Sequence, residues 1–340
     1  MHQARIPGYV QYLLRPSSYP HRVTSVDLVQ THISYVLLTD DYVYKWKKPV
    51  DFGFVDFSTL AKRKFYCDQE LILNRRLCSE IYLKTVWLAR SPNGFHLQGT
   101  GEKVEYGVKM MRMPEDGMMD LLLAKNSLSH SHLETIVTRL VPFYQHADSS
   151  EKVRLNGRVT GVAKNIEDNF IQTTQFVGST ELPSERFAVI QAYCRSVLQE
   201  EALFKERIAA GRIRDCHGDL HSGNICFGEV NRVYIFDCIE FNDALRHIDI
   251  CADVAFLAMD LDYHGEREMS EAFIAEFIVM SGDTRLPALL NFYKCYRAYV
   301  RGKVNMLAAV DPALSDDEAQ CRRDSGASYF RLAEQYARNS

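Results

Sequence analysis

Asp215-Cys216-His217-Gly218-Asp219-Leu220-His221-Ser222-Gly223-Asn224, followed after a short interval by Phe236-Asp237-Cys238-Ile239-Glu240, decides how this 340-residue chain is read. Between the two pieces lie two β-like runs, Ile225 to Phe227 and Val233 to Phe236, joined by Gly228-Glu229-Val230-Asn231-Arg232. That pattern is a short hairpin inside an otherwise helical half. Asp219 and Asn224 have Asp-x-x-x-x-Asn spacing, and Asp237 stands at the end of the second strand. A loop closed by a hairpin can gather these three side chains around one point. Asn224 and Asp237 offer two hard oxygen donors with room for water and phosphate oxygens, which suits Mg²⁺. Asp219 is then left to orient a hydroxyl and accept its proton. A metal to neutralise phosphate charge and an aligned base are what phosphoryl transfer requires.

His217-Gly218-Asp219-Leu220-His221-x-Gly223-Asn224 with Ile235-Phe236-Asp237 resembles the catalytic core of the aminoglycoside phosphotransferase and choline kinase branch of the protein-kinase-like fold. Asp249-Ile250-Cys251-Ala252-Asp253-Val254-Ala255 is similar to that branch's Asp-Pro-x-x-Asp-Leu-Ala segment, with Ile250 in place of proline. The resemblance implies an α+β, bilobal architecture: a small antiparallel β-sheet lobe with one helix, and a larger, mainly helical lobe carrying the catalytic-loop hairpin. It implies Asp219 as base, Asn224 and Asp237 as Mg²⁺ ligands, and Asp253 as a structural anchor of the loop. His217 is expected to pack and shape the loop, hydrogen-bonded near Asp237 or the Asp253 region. ATP is the implied co-substrate, with GTP an alternative.

Such a fold needs a strand lysine for the phosphates and a helix glutamate to hold it. Tyr42-Val43-Tyr44-Lys45-Trp46 supplies the strand, and alternation puts Lys45 and Lys47 on one face and Lys48 on the other. Glu70 shares a helical stripe with Tyr66, Leu73 and Leu77. A buried carboxylate there needs a cation; Lys45 is the first choice and Lys47 the second, while a Glu70 at the stripe's edge would pair with a surface Arg or Lys. Val108 to Pro114 reads as the last small-lobe strand and hinge, and the resemblance makes Met111 and Met113 the adenine-reading candidates, against a reading as plain core methionines. The glycine-rich phosphate loop is missing: Gln30-Thr31-His32-Ile33-Ser34 stands there, with Thr31, Ser34 or His32 as substitute donors.

Around this core, Val26 to Val29 and Tyr35 to Leu38 read as strands. A helix is expected from an N-cap at Ser58 to Leu77, then strands at 84–89, 94–98 and 104–111. Beyond Pro114 the texture is helical: 118–125, 132–146, a single helix over 184–210, then 250–259, 268–281, 286–309 and 316–337, with 148–181 read as short helices and loops. The expected division is residues 1–113, a nucleotide-clamping lobe, and 114–340, a catalytic and substrate lobe. Hydrophobic residues make up 46% and charged residues 25%, which excludes a disordered chain. A net charge of −4 offers no global attraction to nucleic acid or anionic membrane. No run approaches the roughly 18 apolar residues of a spanning helix, and the opening Met1 to Gly8 has no apolar secretion-signal core. Nine scattered cysteines without Cys-x-x-Cys spacing read as inert buried thiols. A soluble cytoplasmic protein is expected.

Lys294, Arg297 and Arg301 recur along one helix face, and Arg246 precedes the Asp249 segment. A basic stripe facing the site would select an anionic acceptor through guanidinium contacts; the plainer reading is a solvated face, or pairing with the acidic stretch Asp311 to Glu318. Two other functions fit some of these residues. His217-x-Asp219-x-His221 suits a metallohydrolase, and the altered phosphate loop suits a catalytically silent nucleotide-binding pseudokinase. The hydrolase reading leaves Asn224, Asp237 and the lysine strand unexplained.

Overall fold

The computed structural model describes residues 6–53, 55–229, 231–311 and 314–339; the first five residues of the opening segment lie outside them. The chain divides into two compact bodies. One runs to Gly117 and also takes in Tyr234–Asn242; the other comprises Met118–Val233 and the chain from Asp243 onward. Nine residues around Asp237 are thus grouped with the first body.

In the first body, α1 (Gly8–Leu13) precedes β1 (Asp27–Gln30), β2 (Ser34–Leu38) and β3 (Tyr42–Lys47). After α2 (Leu60–Cys78) come β4 (Tyr82–Ser91), β5 (Gly94–Leu97) and β6 (Glu102–Met111). The sheet has the order β1-β2-β3-β6-β4-β5 and every pair in it is antiparallel. Strand alternation sorts its faces. Tyr44 and Trp46 pack with Leu13, Tyr19, Leu37, Val86 and Leu88 on the α1 side. Cys67, Leu71 and Cys78 of α2 pack with Ile81, Tyr82 and Val108 on the other. Gly107 lies where β6 crosses β3; a Cβ there would come within 2.8 Å of the Lys45 carbonyl and the Trp46 ring.

Helix α2 starts one residue later than expected. Thr59, not Ser58, is the N-cap and accepts from the Lys62 amide, while the Ser58 hydroxyl donates to Asp56. Its buried face holds Arg63, Glu70 and Asn74 as well as apolar residues.

The second body contains α3 (Met119–Ala124), α4 (His130–His146), α5 (Glu151–Leu155), α6 (Val159–Thr173), α7 (Ser184–Gln199), α8 (Glu201–Ala209) and β7 (Ile213–Asp215). The hairpin strands β8 (Ile225–Phe227) and β9 (Val233–Ile235) pair with each other, the chain passing into the first body within β9. Then come α9 (Asp243–Arg246), β10 (His247–Asp249), which pairs with β7, and α10 (Ile250–Tyr263), α11 (Arg267–Ser281), α12 (Pro287–Ala309) and α13 (Asp316–Arg338). Two expectations are corrected. The helix expected over 184–210 breaks at Glu200, whose backbone (ψ 56°) leaves the helical region. The segment expected as short helices contains the 15-residue α6. Helix α4 begins at His130, because Ser129 and His132 form a capping box.

Helix α10 is buried all round from Ile250 to Leu261, so it is the axis on which this body packs. Among the described residues no helix is long and apolar enough to cross a membrane.

Candidate active site

The first body presents a row of alternating charges. Glu70, with no exposure, faces two lysines through different oxygens: Oε1 lies 3.0 Å from Lys45 Nζ and Oε2 lies 2.7 Å from Lys47 Nζ. Lys45 also contacts Asp237, and Lys47 contacts Glu240. The sequence alone could not choose between the lysines, since both project from one face of β3; α2 engages both. Burial separates them. The Lys45 side chain is 12% exposed and that of Lys47 only 1%, while Asp237 at the far end is 42% exposed.

These neighbours set the ionisation. Burial works against the Lys45 ammonium, but Asp237 and Glu70 hold it protonated well above the ordinary lysine range. Burial would raise the Glu70 carboxyl, yet Lys45 and Lys47 together hold it low. Glu240 is pushed up instead, by burial first; Lys47 opposes this, and facing Glu70 adds to it.

Asp237 is held by its backbone as well. It adopts φ +61°, a left-handed conformation that a short polar side chain tolerates better than most. Its amide donates to the Tyr82 hydroxyl at 3.2 Å, and the next amide, of Cys238, donates to Asn74 Oδ1 at 2.9 Å. Asn74 sits one turn beyond Glu70 and its own Nδ2 donates to the Glu70 carbonyl. Cys78, a further turn on, meets the Ile235 carbonyl through Sγ at 3.2 Å. One face of α2, at positions 70, 74 and 78, thus fixes the segment that bears Asp237. Neither Asn74 nor Glu240 was recognised in the sequence; the available signal was the i, i+4, i+8 spacing of Glu70, Asn74 and Cys78.

The second body carries the loop. Asp253, fully buried on α10, accepts from the amides of His217 and Gly218 at 2.9 Å each and from the Tyr144 hydroxyl at 2.9 Å. Two turns along the same helix, Asp260 accepts from the Ser222 amide at 2.8 Å and its hydroxyl at 2.5 Å. Asp260 escaped the sequence reading, although i and i+7 acids in an apolar helix mark one face. The loop from 217 to 222 is pinned at both ends. His217 Nδ1 accepts from the Asp219 amide at 3.2 Å and His221 Nδ1 from the Gly223 amide at 3.1 Å. Through Nδ1 both imidazoles therefore brace the loop's own backbone.

Asn224 Nδ2 donates to the Asp219 carbonyl at 3.0 Å and to Asp219 Oδ2 at 3.1 Å. With its nitrogen so placed, the amide oxygen is the atom left for another ligand. Asp219 keeps 37% of its side chain exposed. Burial would raise its carboxyl, but His221, 3.5 Å away, together with Arg301 and His217 holds it well below the usual carboxylate range.

The remaining candidates separate. Met111 closes β6 with its amide donating to the Ile81 carbonyl at 2.9 Å, so that amide is already engaged. Met113 packs against the α2-side core. In the phosphate-loop position, Thr31 Oγ1 accepts from the Ile33 and Ser34 amides, Ser34 is 1% exposed, and His32 sits exposed at the turn. Three of the four basic residues already have partners within the protein. Arg246 pairs with Asp215 and Asp243, and Lys294 donates to Asp262 and Ser270 at 2.8 and 2.9 Å. Arg297 donates to the Ala252 carbonyl at 3.0 Å and lies over the Phe256 ring. Arg297 also lines a cavity with Asn156, Asn165, Tyr293 and Tyr296. Arg301 alone acts on Asp219, through its charge.

No protein-family model matches the chain. It is 32% identical over 287 residues to the uncharacterized protein Rv2004c of Mycobacterium tuberculosis and to the uncharacterized protein Mb2027c of Mycobacterium bovis, covering 84% of this chain. The chain spans about half the length (56%) of these curated relatives. Among solved structures it is similar to the GDP and kanamycin complex of APH(2″)-IIia (TM-score 0.53, 14% identity, 98% of this chain and 99% of that one). It is also similar to a choline/ethanolamine kinase family protein from Mesorhizobium loti (TM-score 0.50, 13% identity, 93% of each chain). The chain has the α+β fold of aminoglycoside phosphotransferases and choline/ethanolamine kinases.

Proposed function

We propose that this protein transfers the γ-phosphate of ATP or GTP to a hydroxyl of a small molecule, with Mg²⁺ held by Asn224 and Asp237. The observation that carries the reading is the Asp219–Asn224 pair. The amide nitrogen of Asn224 faces Asp219, which leaves its oxygen for a hard cation, while Asp219 stays ionised and accessible. Both donors are hard oxygens, and the most exposed carboxylate of the charged row is that of Asp237; this donor set fits magnesium. Magnesium, when bound, would neutralise charge on the phosphates.

The chain's own residues supply the rest. Lys45, steadied by Glu70, meets the phosphates. Asp219 orients the acceptor hydroxyl and takes its proton. Asp253 and His217 hold the loop in shape, and Met113, whose amide does not bridge to Ile81 as that of Met111 does, reads the adenine edge. Arg301, which lies over the Tyr329 ring and acts on Asp219, is the member of the basic set that would meet an anionic acceptor. No nucleic-acid or membrane partner is invoked. Eight of the nine cysteines are buried, in keeping with the cytoplasmic compartment proposed, and retention of the lysine, glutamate and three oxygen-bearing residues favours catalysis over a silent nucleotide-binding role.

Nucleotide depletion against a metabolite panel containing both aminoglycosides and sugar acids tests the activity and names the acceptor. Asp219→Asn should abolish turnover while nucleotide still binds, because the base is lost and the phosphate contacts are kept. Normal turnover in that variant refutes the assignment.

A further inference from the structure

We infer that Lys47 is a positioning residue: a buried counter-ion that satisfies Glu70 and Glu240 from within, so that the charge of Lys45 remains available to a phosphate. The inference rests on the phosphotransferase reading and assigns a role to a residue pair, Lys47 and Glu240, to which that reading gives none.

The argument begins with the count. Two ammonium groups, Lys45 and Lys47, meet three carboxylates, Glu70, Asp237 and Glu240. A buried carboxylate without a cation is strongly unfavourable, because low-dielectric surroundings replace its hydration poorly. Glu70 and Glu240 are both buried, so each needs a positive neighbour wherever Lys45 points. Lys47 supplies it to both at once, on Glu70 Oε2 and on Glu240, and its ammonium also lies 4.8 Å from the Phe57 ring centroid. At 1% exposure Lys47 cannot itself reach a ligand.

Lys45 occupies the opposite situation. It touches Glu70 only through Oε1, and its other partner is the half-exposed Asp237. Turning its ammonium partly toward a phosphate leaves Glu70 with Lys47 still in place. Without Lys47, the two buried carboxylates would compete for Lys45 and draw it inward, and an excess of negative charge would face an incoming triphosphate. Removing the charge of Glu240 together with that of Lys47 leaves one lysine and one buried glutamate, so a single carboxylate draws on Lys45 and most of the balance returns.

The test is calorimetric binding of a non-hydrolysable ATP analogue, with Mg²⁺ and again in EDTA, alongside thermal unfolding of the same samples. Lys47→Met should weaken binding about tenfold or more in both conditions, whereas Lys47→Met/Glu240→Gln should return it to within about threefold of wild type. A folded Lys47→Met protein that binds like wild type overturns the inference, as does a double variant no better than the single one. A lowered melting temperature with unchanged affinity means a merely structural pair and likewise overturns it. If Lys47→Met does not fold, the double variant decides: wild-type affinity supports the inference and a tenfold loss defeats it. Wild-type protein that binds no analogue brings down the phosphotransferase reading and this inference together; wild-type binding with indifferent Lys47 variants brings down the inference alone.

Discussion

Two single residues show how burial and charge decide behaviour that composition hides. Asp253 has no exposure and satisfies two backbone amides and a tyrosine hydroxyl. Asp253→Ala leaves those donors unpaired inside the protein, so it should destabilise the fold by on the order of 3 kcal/mol in urea unfolding. Lys303 illustrates the opposite sign. Burial lowers its ammonium to about 8, and its one described hydrogen bond is to Gln172 Oε1 at 2.7 Å. Between pH 8 and the ordinary lysine value of 10.5 the unfolded chain binds a proton that the folded chain has released, so this group makes stability rise with pH across that window. Below it, burial of the charge works against folding. Lys303→Met should therefore raise the melting temperature at pH 7, with the gain shrinking through that window and vanishing above it.

At the scale of elements, α2 is the instructive case. Its start was legible within one residue, since Ser58 is an N-cap residue type; the local bond from Ser58 to Asp56 leaves Thr59 to act as the cap. Thr59→Ala should cost about 1 kcal/mol of stability, read by denaturant titration, through loss of the acceptor for the Lys62 amide. The stripe of Tyr66, Glu70, Leu73 and Leu77 was legible as well. What escaped was Asn74, because a polar residue inside a buried face breaks the periodicity on which such readings depend. Its amide oxygen is explained by the Cys238 amide, 164 positions away. Likewise Asp260 is explained by Ser222, and the break at Glu200 has no proline or glycine to announce it.

For the whole molecule, the loop motif and the lysine strand foretold an α+β kinase-like fold, and the fold comparison agrees. Under the proposed function, bound Mg²⁺ and nucleotide should stabilise the protein in proportion to saturation, by about 2.7 kcal/mol at a hundredfold excess over the dissociation constant. Mg²⁺ with ATP should thus raise the melting temperature, and most of that rise should disappear in Asp237→Ala; an equal rise in the variant would remove Asp237 from the ligand set. The basic residues carry the opposite lesson. Three cations at helical spacing suggested an anion-binding face, yet Lys294 and Arg297 point into the body, where Asp262, Ser270 and the Ala252 carbonyl receive them. Sequence by itself determined the chemistry-bearing types and their spacing, the alternation that puts Lys45 and Lys47 on one face, and the loop whose short-range hydrogen bonds join residues 217 to 224. Only the tertiary structure decided which of the two lysines is sealed and which is open, and which cations are already neutralised. Local geometry follows from a few adjacent dihedral angles, whereas a buried charge takes its partner from wherever the chain's packing brings one.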